Sequence, residues 1–336
     1  MSNPIFEAVK KALIEGEAKV NLKEASTLTG SGLDVGGRVI YDDAFASLRY
    51  ANPLRMGSRQ ITTTGSAEAF VVKTGNAADT TNPWGYTFTP DSGDVATSFW
   101  QLPTRVISAQ VPVRSAVLSD INALEEAIVS DIALEFSTYE AQSMVSNDDQ
   151  SGTTTTTTGG EDGLRGLNSY PSGTTAAFGS NGSAMTDGLH TVATVTQAGA
   201  SIAYNDIVAL TSALPAQYWA LPGTAFHMHP STILALRELK DNSGMPLFLE
   251  IGERDGAAVG NIFGFPVIPN PYMDEIGTGN FSIYLANWDR FLTIADYPEM
   301  LIKRFDQTAP GFVTLYAEKR LLSTVRDVFA GVRLTK

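Results

Sequence analysis

The sequence contains no cysteine and only 3 histidines in 336 residues. Disulfides, thiolate metal sites, iron–sulfur clusters and cysteine nucleophiles are therefore excluded. It also lacks a run of about 18 consecutive apolar residues that could span a membrane. The first residues do not combine a cationic stretch with an apolar core, so no signal peptide is predicted. These absences favour a protein that is made and kept in a reducing cytoplasm, or released by a route other than secretion.

Positive charge is scarce as well. The chain carries 23 basic and 36 acidic residues, which gives a net charge of −13. A protein that grips DNA through its phosphates needs a cationic face, so sequence-specific nucleic-acid binding is not expected. With 43% hydrophobic and 18% charged residues, the chain can bury a core and has about the length of two domains. Few charges and many threonines indicate a β-rich protein with lightly charged loops.

The most regular pattern predicts a long helix over residues 120–145. It contains no glycine or proline, and its apolar residues recur at spacings of three and four. A weaker amphipathic pattern predicts a helix at 4–24, interrupted at Gly16, and the glycine-dotted stretch 25–60 indicates an extended arm. The apolar residues of the long helix are Ile121, Leu124, Ile128, Ile132, Phe136 and Tyr139.

Most of the remaining chain alternates in the manner of β-strands. Two shorter helices are predicted at 205–213 and 233–240. The fold class is therefore α+β, with one long helix early and strands throughout. The predicted strands are 69–73, 86–89, 98–100, 106–113, 225–229, 265–268, 281–285, 292–295, 300–305, 312–316 and 328–332.

No catalytic constellation stands out, so an enzyme is not expected. His227 and His229 alternate along a predicted strand and could ligate a metal from one face. No further ligand lies at a recognisable spacing, which favours a structural pair before Pro230. His190, in a glycine-rich loop, is expected to face solvent. Trp84 and Trp100 either mark a partner surface or pack in the core.

The order of motifs along the chain resembles the major capsid proteins of tailed bacteriophages, which have the Hong Kong 97-type fold. Five motifs carry this resemblance, in the family's order and at plausible spacing. They are the strand 106–113 leading into the helix 120–145, Gly163-Leu164-Arg165-Gly166-Leu167, Met228-His229-Pro230-Ser231-Thr232, Leu236-Arg237-Glu238-Leu239-Lys240-Asp241-Asn242-Ser243-Gly244, and Ile262-Phe263-Gly264-Phe265-Pro266-Val267-Ile268-Pro269.

The resemblance implies a division of the chain into the parts of that fold. An N-terminal arm (1–57) precedes an extended β-hairpin loop (58–104). A peripheral domain (105–204) contains the spine helix 120–145, and an axial domain (205–290) follows. C-terminal strands (291–336) return to the peripheral and axial domains.

The resemblance also implies partners. Copies of the chain form hexamers and pentamers, which tile an icosahedral shell around double-stranded DNA that is held without sequence specificity. A portal protein, a separate scaffolding protein and, optionally, a decoration protein complete the virion capsid, which is assembled in the host cytoplasm. No membrane and no cofactor are implied. Because the arm begins close to Met1, a precursor that is truncated here is the alternative to a separate scaffolding protein.

Two groups of residues are singled out by the resemblance and by charge. Apolar and aromatic side chains of the extended loop are expected to contact neighbouring subunits. Some relatives join subunits covalently with help from a glutamate, and Glu318 occupies the matching position. The partner position falls on Gly311, so no covalent bond is expected, and Glu318 is interpreted as forming a structural ion pair with Lys319 and Arg320. The expected contact residues are Phe70, Val72, Trp84, Tyr86, Phe88 and Trp100.

Two other functions remain open. An encapsulin-type nanocompartment has the same fold but encloses cargo enzymes instead of DNA. A cytosolic enzyme that uses His227 and His229 comes from a different class and is the less favoured of the two. Assembly size separates a shell from an enzyme, and the contents of the particle separate the two kinds of shell.

Overall fold

The computed structural model describes residues 17–21, 52–76, 95–114, 121–149, 163–173, 188–199, 201–239, 259–309 and 312–336. These residues form five α-helices and fifteen β-strands. The helices are α1 (Leu54–Gly57), α2 (Ile121–Ser146), α3 (Tyr204–Ala213), α4 (Pro230–Arg237) and α5 (Trp288–Phe291). The strands are β1 (Glu17–Asn21), β2 (Arg59–Thr62), β3 (Ala67–Asn76), β4 (Val95–Pro103), β5 (Arg105–Arg114), β6 (Ser172–Gly173), β7 (Val192–Thr196), β8 (Thr224–Met228), β9 (Gly260–Ile262), β10 (Phe265–Pro269), β11 (Phe281–Asn287), β12 (Leu292–Asp296), β13 (Glu299–Ala309), β14 (Phe312–Val325) and β15 (Gly331–Thr335).

A six-stranded sheet is built around the long strand β14. Strand β5 pairs with one edge of β14, and β13 and β12 follow one another along the other edge. Strand β1 extends the sheet beyond β13, and β2 pairs in parallel with β12. This sheet therefore joins segments from both ends of the chain.

A seven-stranded sheet has the order β6-β7-β15-β11-β8-β10-β9. Its central strands β8 and β11 are buried along almost their whole length. The hydrophobic core reaches from this sheet to Leu54 of α1 and to Met144 and Val145 near the end of α2. Because β6 and β7 belong to this sheet, it crosses the boundary that the sequence suggested between residues 204 and 205.

The long helix is confirmed as α2, with one change in its buried face. Ile132 and Phe136 are buried as predicted, but Tyr139 is 47% exposed. The buried positions continue in steps of four, through Glu140 to Met144. Steps of four keep side chains on one face of a helix, so this face contains a carboxylate in a stripe that is otherwise apolar.

The helix predicted over 4–24 is wrong where the structure describes it. Residues 17–21 form β1, in which Lys19 lies opposite Leu301 of β13. Pairing with an exposed strand edge outweighs the weak amphipathic pattern, because helix propensity is a small local preference. The last predicted strand is displaced: Val328–Ala330 form a 3₁₀ turn, and β15 begins at Gly331. The predicted strand 86–89 lies outside the described residues. The α+β class is confirmed.

Candidate assembly surface and its ionic anchor

Strands β3 and β4 form an antiparallel hairpin that is separate from the two larger sheets. Phe70 lies opposite Trp100, and Val71 lies opposite Phe99. Successive side chains of a strand point to opposite faces. The hairpin therefore has one face that carries Phe70 and Trp100 and another that carries Val71 and Phe99.

The first face is built into the subunit. Phe70, Trp100 and Leu102 are buried against Ala295 and Leu322 of the six-stranded sheet. The rings of Phe70 and Trp100 stack with centroids 5.5 Å apart, and the indole Nε1 of Trp100 donates to the hydroxyl of Thr324 at 3.1 Å. Burying two large aromatic side chains fixes the base of the hairpin on the body of the protein.

The second face is open to solvent and carries an apolar cross-strand pair. Val71 is 60% exposed and Phe99 is 51% exposed, and the two are direct cross-strand neighbours. Single exposed apolar residues are common on protein surfaces, but a paired set on a projecting hairpin is typical of a contact surface.

The expected contact residues of the loop are corrected by this geometry. Phe70 and Trp100 face inward, and Val72 packs partly against the same cluster. The sequence pattern locates the strand but does not show which of its faces is buried, and a shift of one residue exchanges the two faces. The outward pair is formed by the neighbouring residues Val71 and Phe99. Trp84, Tyr86 and Phe88 lie outside the described residues.

Four charged side chains meet beside the base of the hairpin. The guanidinium of Arg55 donates to both carboxylate oxygens of Asp296, at 2.7 and 2.8 Å, and its Nε donates to Glu140 at 2.6 Å. The ammonium of Lys319 lies 2.5 Å from Glu140 and 3.4 Å from Asp296. We call Arg55, Glu140, Asp296 and Lys319 the ionic anchor, because it joins α1, α2, β12 and β14.

The charges of the anchor support one another. Burial alone would raise the pKa of Asp296, but the hydrogen bond from Arg55 and the charge of Lys319 hold it below its usual value. Burial also opposes the charge on Arg55, yet the hydrogen bond to Asp296 and the charge of Glu140 raise the pKa of Arg55. A carboxyl group whose pKa is lowered by folding stabilises the fold at pH values above its pKa in the unfolded chain. This contribution is lost as the pH falls through its pKa in the folded subunit.

The ion pair expected between Glu318, Lys319 and Arg320 is not formed as predicted. Lys319 turns to Glu140 and Asp296, because adjacent residues of β14 point to opposite faces. The carboxylate of Glu318 instead accepts a hydrogen bond from the Tyr316 hydroxyl at 3.1 Å. The guanidinium of Arg320 lies 5.8 Å from the ring centre of Tyr297.

Sequence reasoning missed Arg55, Glu140 and Asp296. The one usable signal was Glu140, an acidic residue at a four-residue step from Phe136 on the apolar face of the long helix. A charge at such a position predicts a buried partner, although the sequence does not say which one.

The described residues do not bring the histidines together as metal ligands. His227, on β8, is fully buried, and its ring packs on Trp288 with centroids 4.3 Å apart. His229 lies beyond the end of β8 and caps α4, where its Nδ1 accepts a hydrogen bond from the backbone N–H of Ser231. His190 was expected to face solvent but is buried, with its ring 4.6 Å from that of Trp100.

Neither ring nitrogen of His227 has a hydrogen-bond partner among the described residues. Burial lowers the pKa of His227 to about 3. Since an unfolded histidine titrates near 6.5, the unfolded chain binds an extra proton between about pH 6.5 and pH 3. Stability therefore falls as the pH drops through this window, by about 1.4 kcal/mol per pH unit.

We expect a His227→Leu variant to lose this acid sensitivity. Between pH 7 and pH 4.5, the free energy of unfolding of the original subunit should fall by about 3 kcal/mol more than that of the variant. Urea unfolding of unassembled subunits at the two pH values measures the difference. A His229→Ser variant is the control, because serine keeps the helix cap and His227 remains. Equal pH dependence of the original and His227→Leu subunits would contradict the assignment.

The described ranges lack two kinds of feature. No group of three histidine, aspartate or glutamate side chains there is arranged to hold a metal ion. No helix in the same ranges is long and apolar enough to cross a membrane. The geometry that stands out is the hairpin and its ionic anchor.

A sequence model described as the phage capsid family matches residues 38–333. No curated protein sequence matches the chain. Among solved structures, the capsid of an empty GTA particle, computed with C5 symmetry, is similar with a TM-score of 0.67 and 22% identity, over 93% of this chain and 96% of that one.

Two other solved structures are similar at lower identity. A protein of Mycobacterium phage Adephagia matches with a TM-score of 0.57 and 14% identity, over 94% of this chain and 97% of that one. The holo-SrpI encapsulin complex from Synechococcus elongatus PCC 7942 matches with a TM-score of 0.55 and 12% identity, over 89% of this chain and 96% of that one. At these identities the likeness concerns the fold.

Proposed function

The chain belongs to the phage capsid family and is a major capsid protein, and we propose that its copies assemble as hexamers and pentamers into a closed icosahedral shell. Its fold is the Hong Kong 97-type capsid fold. The observation that carries the proposed assembly is the hairpin of β3 and β4. One face of it is fixed to the subunit, and the other presents Val71 and Phe99 to solvent.

We propose that the arm (1–57) and the extended loop (58–104) contact neighbouring subunits in addition to their attachments within the subunit, which are β1, α1 and the base of the hairpin. Segments with an apolar face and little core of their own gain stability when they are buried on a partner. The ionic anchor supports this arrangement, since it fixes the point where the arm ends and the hairpin begins. The spine helix and the two sheets would then form the wall of the shell, with the axial domain (205–290) around the symmetry axes.

We propose that the shell encloses double-stranded DNA. A net charge of −13 supports this role, because fixed cationic sites on the inner wall would bind phosphates and hinder the movement of a condensed genome. In this proposal the chain acts in the virion capsid after assembly in the host cytoplasm. Its other partners would be a portal protein, a separate scaffolding protein and, optionally, a decoration protein.

The second candidate is a nanocompartment shell around protein cargo. The similarity to an encapsulin complex favours it, with a TM-score of 0.55. The match to the phage capsid family over residues 38–333 favours the genome shell. The two functions differ in what the particle contains.

The contents of native particles distinguish these functions. We expect particles purified from the cells that produce them to retain double-stranded DNA after nuclease treatment, and to release it when the shell is denatured. The measurement is DNA recovery against total protein composition, with nuclease added after denaturation as the control. Particles that hold a stoichiometric enzyme and no DNA would instead identify a nanocompartment.

A further inference from the structure

The turn between β9 and β10 is strained. Ile262 pairs with Phe265, so Phe263 and Gly264 form a two-residue hairpin loop. Their φ angles are 52° and 85°, and Phe263 is the one non-glycine residue with positive φ in the described ranges. Turns with two positive φ angles favour Asn-Gly, whereas a bulky side chain is rare there. Strain of this kind is found where the residue serves a function.

The strained residue is also half exposed. The ring of Phe263 is 44% exposed and meets the ring of Tyr204 edge to face, with centroids 5.7 Å apart. Val208, one turn further along α3, is 41% exposed. Tyr204, Val208 and Phe263 therefore form one apolar surface, which we call the axial patch.

Helix α3, which carries two of the three residues of this patch, exposes no charged side chain to solvent. Its outward residues are uncharged, and the one charged residue of α3, Asp206, is buried. The carboxylate of Asp206 accepts hydrogen bonds from the backbone N–H groups of Ala203 and Ala198, at 2.8 and 3.2 Å. The outward residues of α3 are Tyr204, Asn205, Val208, Ala209 and Ser212.

We propose that the axial patch binds a neighbouring copy of this chain within the shell. This inference rests on the proposed assembly, and it names the surface and its partner. Each copy carries a net charge of −13, so contact between copies is opposed least where the meeting surfaces carry no charge. The patch offers such a surface, with two aromatic rings that bury a large apolar area at small entropic cost. A nucleic acid would need cationic side chains here.

The sharpest test is Phe263→Asn, because it separates the stability of the subunit from its assembly. Asn-Gly is the favoured sequence for this turn, so the unassembled variant should unfold at the same temperature as the original or higher. Its shell yield, measured by light scattering and sedimentation, should fall by about tenfold or more. Phe263→Tyr keeps the ring and is the control, with shell yield unchanged. Normal assembly of Phe263→Asn would overturn the proposal.

A second measurement applies to shells that do assemble. The chain has no cysteine, so Val208→Cys introduces a single thiol. We expect a maleimide reagent to label this thiol readily in free subunits, and about tenfold or more slowly in shells. Labelling in urea gives the full reactivity. Equal labelling of shells and free subunits would overturn the proposed contact at the axial patch without affecting the proposed assembly. Failure of the original chain to form shells would overturn the proposed function itself.

Discussion

Replacing residues 77–94 with a two-residue Asn-Gly turn is expected to leave a folded subunit that cannot form shells. Asn76 and Val95 are paired across β3 and β4, so a two-residue turn can join them without changing the register. The buried contacts of Phe70 and Trp100 stay in place. The variant removes the stretch that contains Trp84, Tyr86 and Phe88. The variant therefore loses the contacts that this stretch is expected to make with neighbouring subunits, while the core of the subunit is unchanged.

Thermal unfolding and circular dichroism test the fold of this variant, and sedimentation tests its assembly. We expect a thermal midpoint close to that of the original unassembled subunit and no particles of shell size. A milder variant, Val71→Ser with Phe99→Ser, should weaken assembly in proportion to the apolar surface that it removes. Its subunit should remain about as stable as the original, because substitutions at exposed positions change stability little. Normal particles from the shortened hairpin would show that the loop is dispensable for assembly.

Replacing Arg55 with methionine is expected to destabilise the subunit by about 3–5 kcal/mol, the usual cost of breaking a buried ion pair by removing one partner. Glu140 and Asp296 would then share Lys319 as their cation within the ionic anchor. The loss arises mostly from Glu140, whose carboxylate is buried and would keep Lys319 as its only cation within the anchor.

Urea unfolding of unassembled subunits at neutral pH measures this change. Arg55→Lys should lower the free energy of unfolding by less than Arg55→Met does, because lysine keeps the positive charge and loses only the bidentate hydrogen bonding to Asp296. Arg59→Met is the matched control: Arg59 is exposed on β2, and its loss should change the free energy of unfolding by less than about 0.5 kcal/mol. An Arg55→Met variant as stable as the Arg59→Met variant would mean that the anchor contributes nothing.

The long helix could be predicted from its sequence because its period is local. Apolar residues at spacings of three and four over 120–145 predict one buried face, and no breaker interrupts it. The same pattern misplaced Tyr139 and left out Glu140, because the exact direction of the buried face depends on what packs against it. Most strands were predicted for a similar local reason.

The ionic anchor could not be predicted in this way. Arg55 and Glu140 are 85 residues apart, and Arg55 and Asp296 are 241 apart. No local period links such residues, since their meeting depends on sheet order. The hairpin shows a smaller version of the problem. The strand was predicted, but its phase, and with it the inward direction of Phe70 and Trp100, follows from the sheet it packs on.

His190 gives the same lesson for loops. A glycine-rich surrounding sequence predicts exposure, yet its ring is buried beside Trp100 and Tyr170. Family resemblance supplied what local patterns lacked, because five weak motifs in one order specify a topology that none of them specifies alone. The residue contacts within that topology still required the structure.

Cryo-electron microscopy of particles purified from cells that produce the chain tests the central claim most directly. The account predicts closed shells with five-fold vertices, in which Val71 and Phe99 of each hairpin are covered by a neighbouring subunit. Shells in which these hairpins project freely into solvent would contradict the account. It would also be contradicted if the chain stayed a 35.9 kDa monomer when all the other virion components were present.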